Sequence, residues 1–413
     1  MEDKVFQLKL DRETSTKALN DWVLHQIKLG NYTIDINCAD SKAYSNVCAP
    51  VAAVLEYYRE NGVKFNITYS DNGFGSYVKQ SFFERPQIVE REENKMELMH
   101  PFNKVWKFST EQGVYDLASA FVFTLRKTAP VAKGIIQGID WCINETMDNV
   151  FVHSGGSSGY AMAQYFPTNG HFAFCVFDTG IGILNSFHQK NSKHNPANGL
   201  DAITLALQEK VTSDETTGQG NGMWGLSQIV KENNGSFTVC SSGAKYQYRF
   251  GQEKVTQHGE FNLGHIHGTT YIEFQVDCSK QIDIAKALNY YLPMDFWEDQ
   301  HTDDFDRIVI KIAEESSGTG TRIAGNQMRT LAMNLLREQH NIAIDFLGVN
   351  FISSSYADEL IGKLVAEIGF VQFCKRVSIE NIAAFNVPII NRSVGQRMAQ
   401  LYYDPSIPDS ADE

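Results

Sequence analysis

The sequence predicts an α/β (α+β) protein, and three patterns carry that prediction. NYTIDINCA (31–39), CAPVAAVLEYYRENG (48–62) and VKFNITYS (63–70) read as strand, helix and strand. Between about 113 and 277, helical periodicities alternate with buried strand runs. From Asp306 onward the strand–helix alternation starts again. Charged or polar breaks divide the chain into a small α/β unit at 1–95, a central domain at 101–280, an α/β domain at 300–402 and a loose tail at 403–413.

Bulk properties bound the function. The chain has 413 residues, 43% hydrophobic and 21% charged, which is a globular composition. A formal net charge of -13 excludes a protein whose main task is coating nucleic acid, because phosphate contacts need a surplus of Lys and Arg. The seven cysteines form no CxxC pair and no His/Cys cluster, so reduced, buried thiols are expected rather than a disulfide framework or zinc site. MEDKVFQLKLDRETS has no apolar core of signal-peptide length, and no apolar run reaches about 18 residues. A cytoplasmic protein without a membrane span is expected.

In order, LNDWVLHQIKLG (19–30) reads as a short helix after an N-terminus with little pattern. The strand–helix–strand unit follows, with Gly62 stopping the helix. DNGFGS (71–76) reads as a turn and ERPQIVEREENK (84–95) as a connector. GVYDLASAFVFTLRK (113–127) is a helix, and Pro130 is suited to opening the next. HFAFCVF (171–177) is a buried strand. Residues 184–217 are polar, with one helix at LDAITLALQEK. MWGLSQIVKENNG is a helix ending at Gly235, SFTVCSSGAKYQYRF a hairpin around 242–244, and GTTYIEFQV a strand. Beyond PMDFWEDQHTDD come DRIVIKIAE (strand), QMRTLAMNLLRE (helix), NIAIDFLGVNFI (strand), SSSYADELIGKLVAEIG (helix) and VQFCKRVSIEN (strand).

The chemistry centres on IIQGIDWCINETMDNVFVHS (135–154). Its apolar residues recur at helical spacing, and Glu145, Asp148 and Asn149 share the helix surface between them. A carboxylate one turn before a carboxamide suits a magnesium-nucleotide site: the acid takes a proton from a nucleophile and the amide oxygen ligates a hard cation. A solvated polar face explains these residues equally well in isolation. Three more motifs follow: Asp178-Thr179-Gly180-Ile181-Gly182, Gly218-x-Gly220-x-Gly222-x-x-Gly225-Leu226, and Gly268-Thr269. An Asp at a strand end accepts the amine of adenine. A Gly-rich loop opening a helix offers free N–H groups to phosphates, and a Thr hydroxyl holds a water or the base. An ordinary glycine turn accounts for DTGIGI or GQGNG taken singly. Four motifs in order argue for a nucleotide site.

This set resembles the GHKL (Bergerat-fold) ATPase and kinase superfamily over roughly 101–277. The resemblance implies a Bergerat-fold α/β sandwich with a mixed sheet in the centre, and it implies that this domain takes ATP and Mg2+. It makes Glu145 the general base, Asn149 the magnesium ligand, Asp178 the adenine reader, and Gly180 and Gly182 part of the base pocket. It sets Gly218, Gly220, Gly222 and Gly225 along the phosphates and Thr269 at the water or base, under a mobile lid at about 184–217. Lys190, Lys193 and His194 lie in that lid, within reach of phosphate or on a solvated face. INETMDNVFVHSG is most similar to the E-x-x-x-N-x-x-x-H pattern of anti-sigma-factor serine kinases, with His153 supplying its histidine; a His at a helix C-terminus is also favoured by the dipole. Sensor histidine kinases fit less well, since only His25 and His100 precede the site, neither in an acid-rich context, and Pro101 follows His100. The larger transducer domains of gyrase- and chaperone-type members are not evident.

NIAIDFLGVNFISSSYADELIGKL (341–364) resembles the central strand-turn-helix of STAS domains, the fold of anti-sigma-factor antagonists, with coverage from 305 to about 400. In more detail it resembles a family of STAS-like domains of unknown function often found with GHKL ATPases. The resemblance makes Ser354 the candidate phosphoacceptor, with Ser353 in place of the usual acid before it and Tyr356 in place of a small residue after it. The residues themselves favour a capping box, Ser355-x-x-Asp358, for the following helix. SSGTGTRIAG (316–325) is a loop before a helix, with Arg322 available to an anion. By element order alone, the N-terminal unit at 1–95 is a candidate second, degenerate STAS-like module.

The functional expectation is an ATP/Mg-binding regulator that hydrolyses ATP slowly and controls a protein partner through its STAS-like domain. A serine kinase of anti-sigma-factor type and a non-hydrolysing ATP-dependent assembly module are the alternatives. A homodimer fits this class; a membrane or a directly bound nucleic acid does not.

Overall fold

The computed structural model describes residues 5–38, 41–70, 73–153, 158–189, 192–213, 221–257, 268–290 and 295–402. The chain divides into two compact units, Met1–Thr124 with Ile135–Pro293, and Leu125–Gly134 with Met294–Glu413.

The first unit begins with β1 (Val5–Leu8), α1 (Ser15–Lys28), β2 (Thr33–Cys38), α2 (Ser45–Glu60) and β3 (Lys64–Tyr69). Its strands form a parallel sheet in the order β1-β2-β3. In β2 the alternation expected of a half-buried strand turns Ile34, Ile36 and Cys38 inward. Gly62 follows α2 at φ +86°, a left-handed value that ends the helix cheaply only for glycine.

Next come α3 (Gly73–Gln80), β4 (Gln87–Ile88), α4 (Lys95–Leu98), β5 (Trp106–Phe108), α5 (Glu111–Thr128) and α6 (Ile135–His153). The expected turn at 71–76 is therefore partly the first turn of α3. The charged connector contributes the edge strand β4. α6 opens five residues after Pro130 rather than at it.

The remaining elements are β6 (Gly159–Phe166), β7 (His171–Asp178), α7 (Gly182–Gln189), α8 (Gly199–Ala206), α9 (Gly222–Asn233), β8 (Ser236–Ser241), β9 (Ala244–Arg249), β10 (Gln252–Gln257), β11 (Thr270–Asp277) and α10 (Ile284–Ala287). The central sheet runs β10-β9-β8-β11-β7-β6-β5-β4. It is antiparallel except for the β4–β5 pair. The β8–β9 hairpin turns on Ser242 (φ +51°) and Gly243 (φ +77°), the two left-handed positions of a tight primed turn. β7 is a continuous apolar run because both of its faces are covered. On one face Tyr160, Met162, Cys175, Phe177, Cys240 and Tyr271 share a single core with α2 and the N-terminal sheet. Residues 1–95 are thus a layer of the first unit. α6 and α9 lie on the sheet as well and pack against each other.

The second unit contains α11 (Phe296–His301), β12 (Arg307–Lys311), α12 (Ile312–Glu315), α13 (Arg322–Arg337), β13 (Asn341–Asp345), α14 (Ser354–Ala357), α15 (Lys363–Ile368), α16 (Phe370–Arg376), β14 (Val377–Glu380) and α17 (Val387–Tyr402). A π turn, Asp358–Gly362, joins α14 to α15. The parallel sheet β12-β13-β14 buries Ile308, Ile310, Ile342 and Ile344 against Met328, Leu331, Leu335, Leu360 and Leu364. Two expectations change here. VQFCKR is helix, not strand: Gly369 at φ +82° breaks α15, and the Phe373 N–H bonds to the Gly369 carbonyl to start α16. The strand expected at 341–352 stops at Asp345.

Candidate functional site

α6 turns Ile135, Ile136, Ile139, Cys142, Ile143 and Met147 into the core. Thr146 is also buried, and its hydroxyl donates back to the Cys142 carbonyl at 2.7 Å. Glu145, Asp148 and Asn149 fall off this stripe. Burial first and Asp148 second push the Glu145 carboxyl up to about 7. Asp148 is raised as well, by burial and then by Glu111. The Asn149 Nδ2 is buried and has no hydrogen-bond partner.

α9 opens beside these residues. A methyl built on Gly222 would run into Glu145 Oε2 and lie 3.5 Å from Asn149 Nδ2. One turn on, a methyl on Gly225 would lie 2.7 Å from Trp141 Nε1 and 3.1 Å from Leu288 Cδ2. The two glycines let the start of α9 sit directly on α6.

The second cluster lies at the end of β7. Asp178 is 2% exposed. The Gly180 N–H donates to its Oδ1 at 2.7 Å, and the hydroxyl of Thr270, its register partner on β11, bonds it too. Burial outweighs both donors and raises the Asp178 carboxyl to about 7. Gly182 opens α7 at φ +76°, and a methyl there would lie 3.1 Å from Ser241 Oγ and 3.2 Å from the Gly268 Cα. Gly268, at φ +79°, backs onto the Gly180 carbonyl. The Ser241 hydroxyl accepts from the Ile183 N–H at 2.9 Å and donates to the buried Thr269 carbonyl at 3.0 Å. Asp178, Gly180, Gly182, Gly268 and Thr269 therefore meet at one end of the sheet. α6 borders both β7 and α7. Thr270 and Ser241 were not foreseen; the strand register that makes Thr270 opposite Asp178 is the signal that finds the first.

Gly218, Gly220 and Lys190 lie outside the described residues. His153 closes α6. The described residues of 184–217 contain the rest of α7 and then α8, where one helix is expected; Asn198 caps α8 by accepting from the Asp201 N–H at 3.0 Å. In this stretch the His194 Nε2 is buried without a partner.

In the second unit the helix cap is Ser353, whose Oγ accepts from the Tyr356 N–H at 3.0 Å. The box expected between Ser355 and Asp358 does not form, because Asp358 is taken by Arg397, with Nε 2.7 Å from Oδ1 and Nη2 2.6 Å from Oδ2. Ser354 is the exposed first residue of α14. Arg322 pairs with Glu359 at 3.1 Å, and Thr321 caps α13.

All seven cysteines are free, six of them buried and Cys374 exposed. Among the described residues no group of three or more His, Cys, Asp or Glu side chains is arranged to hold a metal. No helix among them is long and apolar enough to cross a membrane.

Residues 326–384 match the family described as STAS-like domain of unknown function (DUF4325). The match covers most of α13 and continues through β14. No curated protein and no solved structure matches the chain.

Proposed function

We propose that the first unit carries a GHKL (Bergerat-fold) site for ATP and Mg2+. On this reading the protein is a regulator whose nucleotide state controls how its STAS-like unit meets a protein partner. One observation carries the reading. Glu145 and Asn149 face the first residue of α9, while Asp178, Gly180 and Gly268 gather at the end of the neighbouring strand. These residues come from all four motifs, the third represented by Gly222.

Asp178 accepts the exocyclic amine of adenine, held in place by the Gly180 N–H and the Thr270 hydroxyl. The glycines at 180, 182 and 268 leave the backbone free to approach the base. The N-terminus of α9 offers its N–H groups and positive dipole end to the phosphates. Asn149 suits Mg2+ because a magnesium-nucleotide site needs only one or two protein oxygens besides phosphate and water. When bound, the ion offsets phosphate charge. Glu145 takes the proton of a water whose oxygen bonds to the γ-phosphorus as the bond to the bridging oxygen breaks, releasing ADP and phosphate. The segment 184–217 is the lid whose closure excludes bulk water and resets the partner-binding form. Phosphate release by the parent and by Glu145→Ala tests the role of the base; equal rates would remove Glu145 from the mechanism.

The exposure of Ser354, outside the cap that Ser353 supplies, favours a second reading. Glu145 would then deprotonate a serine, on a STAS-like partner or at Ser354 itself, and the γ-phosphoryl would pass to that oxygen. Intact-mass measurement after incubation with Mg-ATP separates the two readings: an added phosphate supports the kinase, and none, with or without partner, contradicts it.

A further inference from the structure

The ten residues Leu125–Gly134 comprise the last turn of α5 and the link from it to α6, and they belong to the second unit. Their attachments there are specific. Arg126 is 2% exposed; its Nη1 donates to Glu298 at 2.7 Å and its Nη2 to Asp295. Its guanidinium lies 4.7 Å from the centre of the Trp297 ring. His340 Nε2 lies 3.1 Å from the other Glu298 oxygen. The buried Asn334 amide donates to the carbonyls of Arg126 (2.9 Å) and Ala129 (2.8 Å), and its oxygen accepts from the Val131 N–H (3.1 Å). Arg337 donates to the Val131 carbonyl at 3.3 Å, Glu338 accepts from the Gly134 N–H at 2.6 Å, and Lys127 donates to the Glu315 carbonyl.

A passive tether is solvated and needs no such partners. Burying an arginine between two carboxylates costs desolvation and is best justified where one geometry must be held. The residue after Gly134 is the first of α6, and Glu145 lies ten residues along it, about 15 Å at the helical rise.

We infer that Leu125–Gly134 is a coupling segment, fixed to the STAS-like unit by Arg126 and Asn334, through which the state of the α6 site and that of the STAS-like unit report on each other. The inference rests on the nucleotide reading of that site. Coupling is reciprocal: if ATP changes the segment, weakening its attachment changes ATP affinity by the corresponding factor. Asn334 and Glu298 are positioning residues in this scheme.

Hydrogen exchange of the full chain, read by mass spectrometry with and without Mg-ATP, tests it without any substitution. Occupancy is measured on the same sample by equilibrium dialysis of labelled ATP. Saturation with a several-fold change in exchange across 125–134 is the expected result. Saturation with unchanged exchange overturns the coupling and leaves the nucleotide site standing. No saturable binding overturns both. In a second arm Asn334→Asp and Glu298→Gln are compared with Ile344→Val, a core change remote from the segment. The first two are expected to shift the ATP Kd at least threefold while Ile344→Val does not. Equal shifts at matched loss of Tm would reduce the segment to packing and overturn the inference.

Discussion

Gly222 faces Glu145 so closely that any β-carbon on Gly222 would overlap the carboxylate oxygen Oε2. Two effects oppose each other in Gly222→Ala. Alanine gains up to about 1 kcal/mol of helix propensity over glycine in α9. The overlap is with the far end of a flexible side chain, so turning the carboxylate aside relieves most of it, and the net change in stability stays within about 1 kcal/mol. On the proposed reading phosphate release falls, because the base is displaced. In a Glu145→Ala background the same substitution costs less. A double-mutant cycle by chemical denaturation measures the difference; additive costs would mean that the two residues do not meet.

Glu145 also makes stability fall with pH. Its folded-state carboxyl is raised from near 4.5 to about 7. Between those values the folded state holds the proton more tightly than the unfolded chain does, so stability declines as pH rises through the window. Glu145→Gln removes that charge. Discounted for solvent access, the gain at pH 8 is on the order of 1–3 kcal/mol, and it vanishes near pH 4. Calorimetric Tm values at the two pH values check it; the same change at both would show that burial of charge is not the cause.

The pH dependence of turnover follows from two carboxyls. On the proposed reading Glu145 must be ionised to take a proton, and Asp178, also raised to about 7, would bind the adenine amine best as the carboxylate. The kcat/KM for ATP reports groups of the free protein. It is expected to fall steeply below about pH 7, with a log–log slope approaching two where both groups are protonated. Asp178→Asn is expected to reduce that slope to one. A slope unchanged by the substitution would detach Asp178 from binding.

In the STAS-like unit, Ser353→Ala removes the helix cap at a cost of about 0.5–2 kcal/mol. Ser354→Ala is expected to stay within about 0.5 kcal/mol, since that residue is exposed and does not cap the helix. Ser355→Ala loses only the 3.0 Å bond between its hydroxyl and the Ser353 Oγ and is expected to cost less than Ser353→Ala. Urea unfolding of the three variants distinguishes them, and a loss at Ser355 as large as that at Ser353 would contradict the assignment of the cap to Ser353.

Much of the fold was legible because local patterns and burial agree. Ile34-x-Ile36-x-Cys38 alternates, α6 repeats at helical spacing, and Ser242-Gly243 signals its hairpin. What was missed depends on partners far away in sequence. β4 is only two residues, Gln87–Ile88, inside a charged stretch, and it becomes a strand only by pairing with β5. β6 lacks a clear alternation because both of its faces are covered. Ser355-x-x-Asp358 has the spacing of a cap, but Arg397, 39 residues on, takes the aspartate. The residues that the structure brings together, Glu145 and Asn149 with Gly222, and Asp178 with Gly180, Gly182 and Gly268, stand out in the sequence because each motif is local. Thr270 does not, since only the β7–β11 register brings it to Asp178.

Calorimetric titration of Mg-ATP into the parent and into Asp178→Ala tests the nucleotide site most directly. The parent is expected to bind one ATP per chain saturably. Asp178→Ala is expected to bind more weakly by about 1.5–3 kcal/mol, the worth of a hydrogen bond to a charged group, with the fold intact by circular dichroism. Indistinguishable isotherms, or no saturable heat from the parent, would contradict the account.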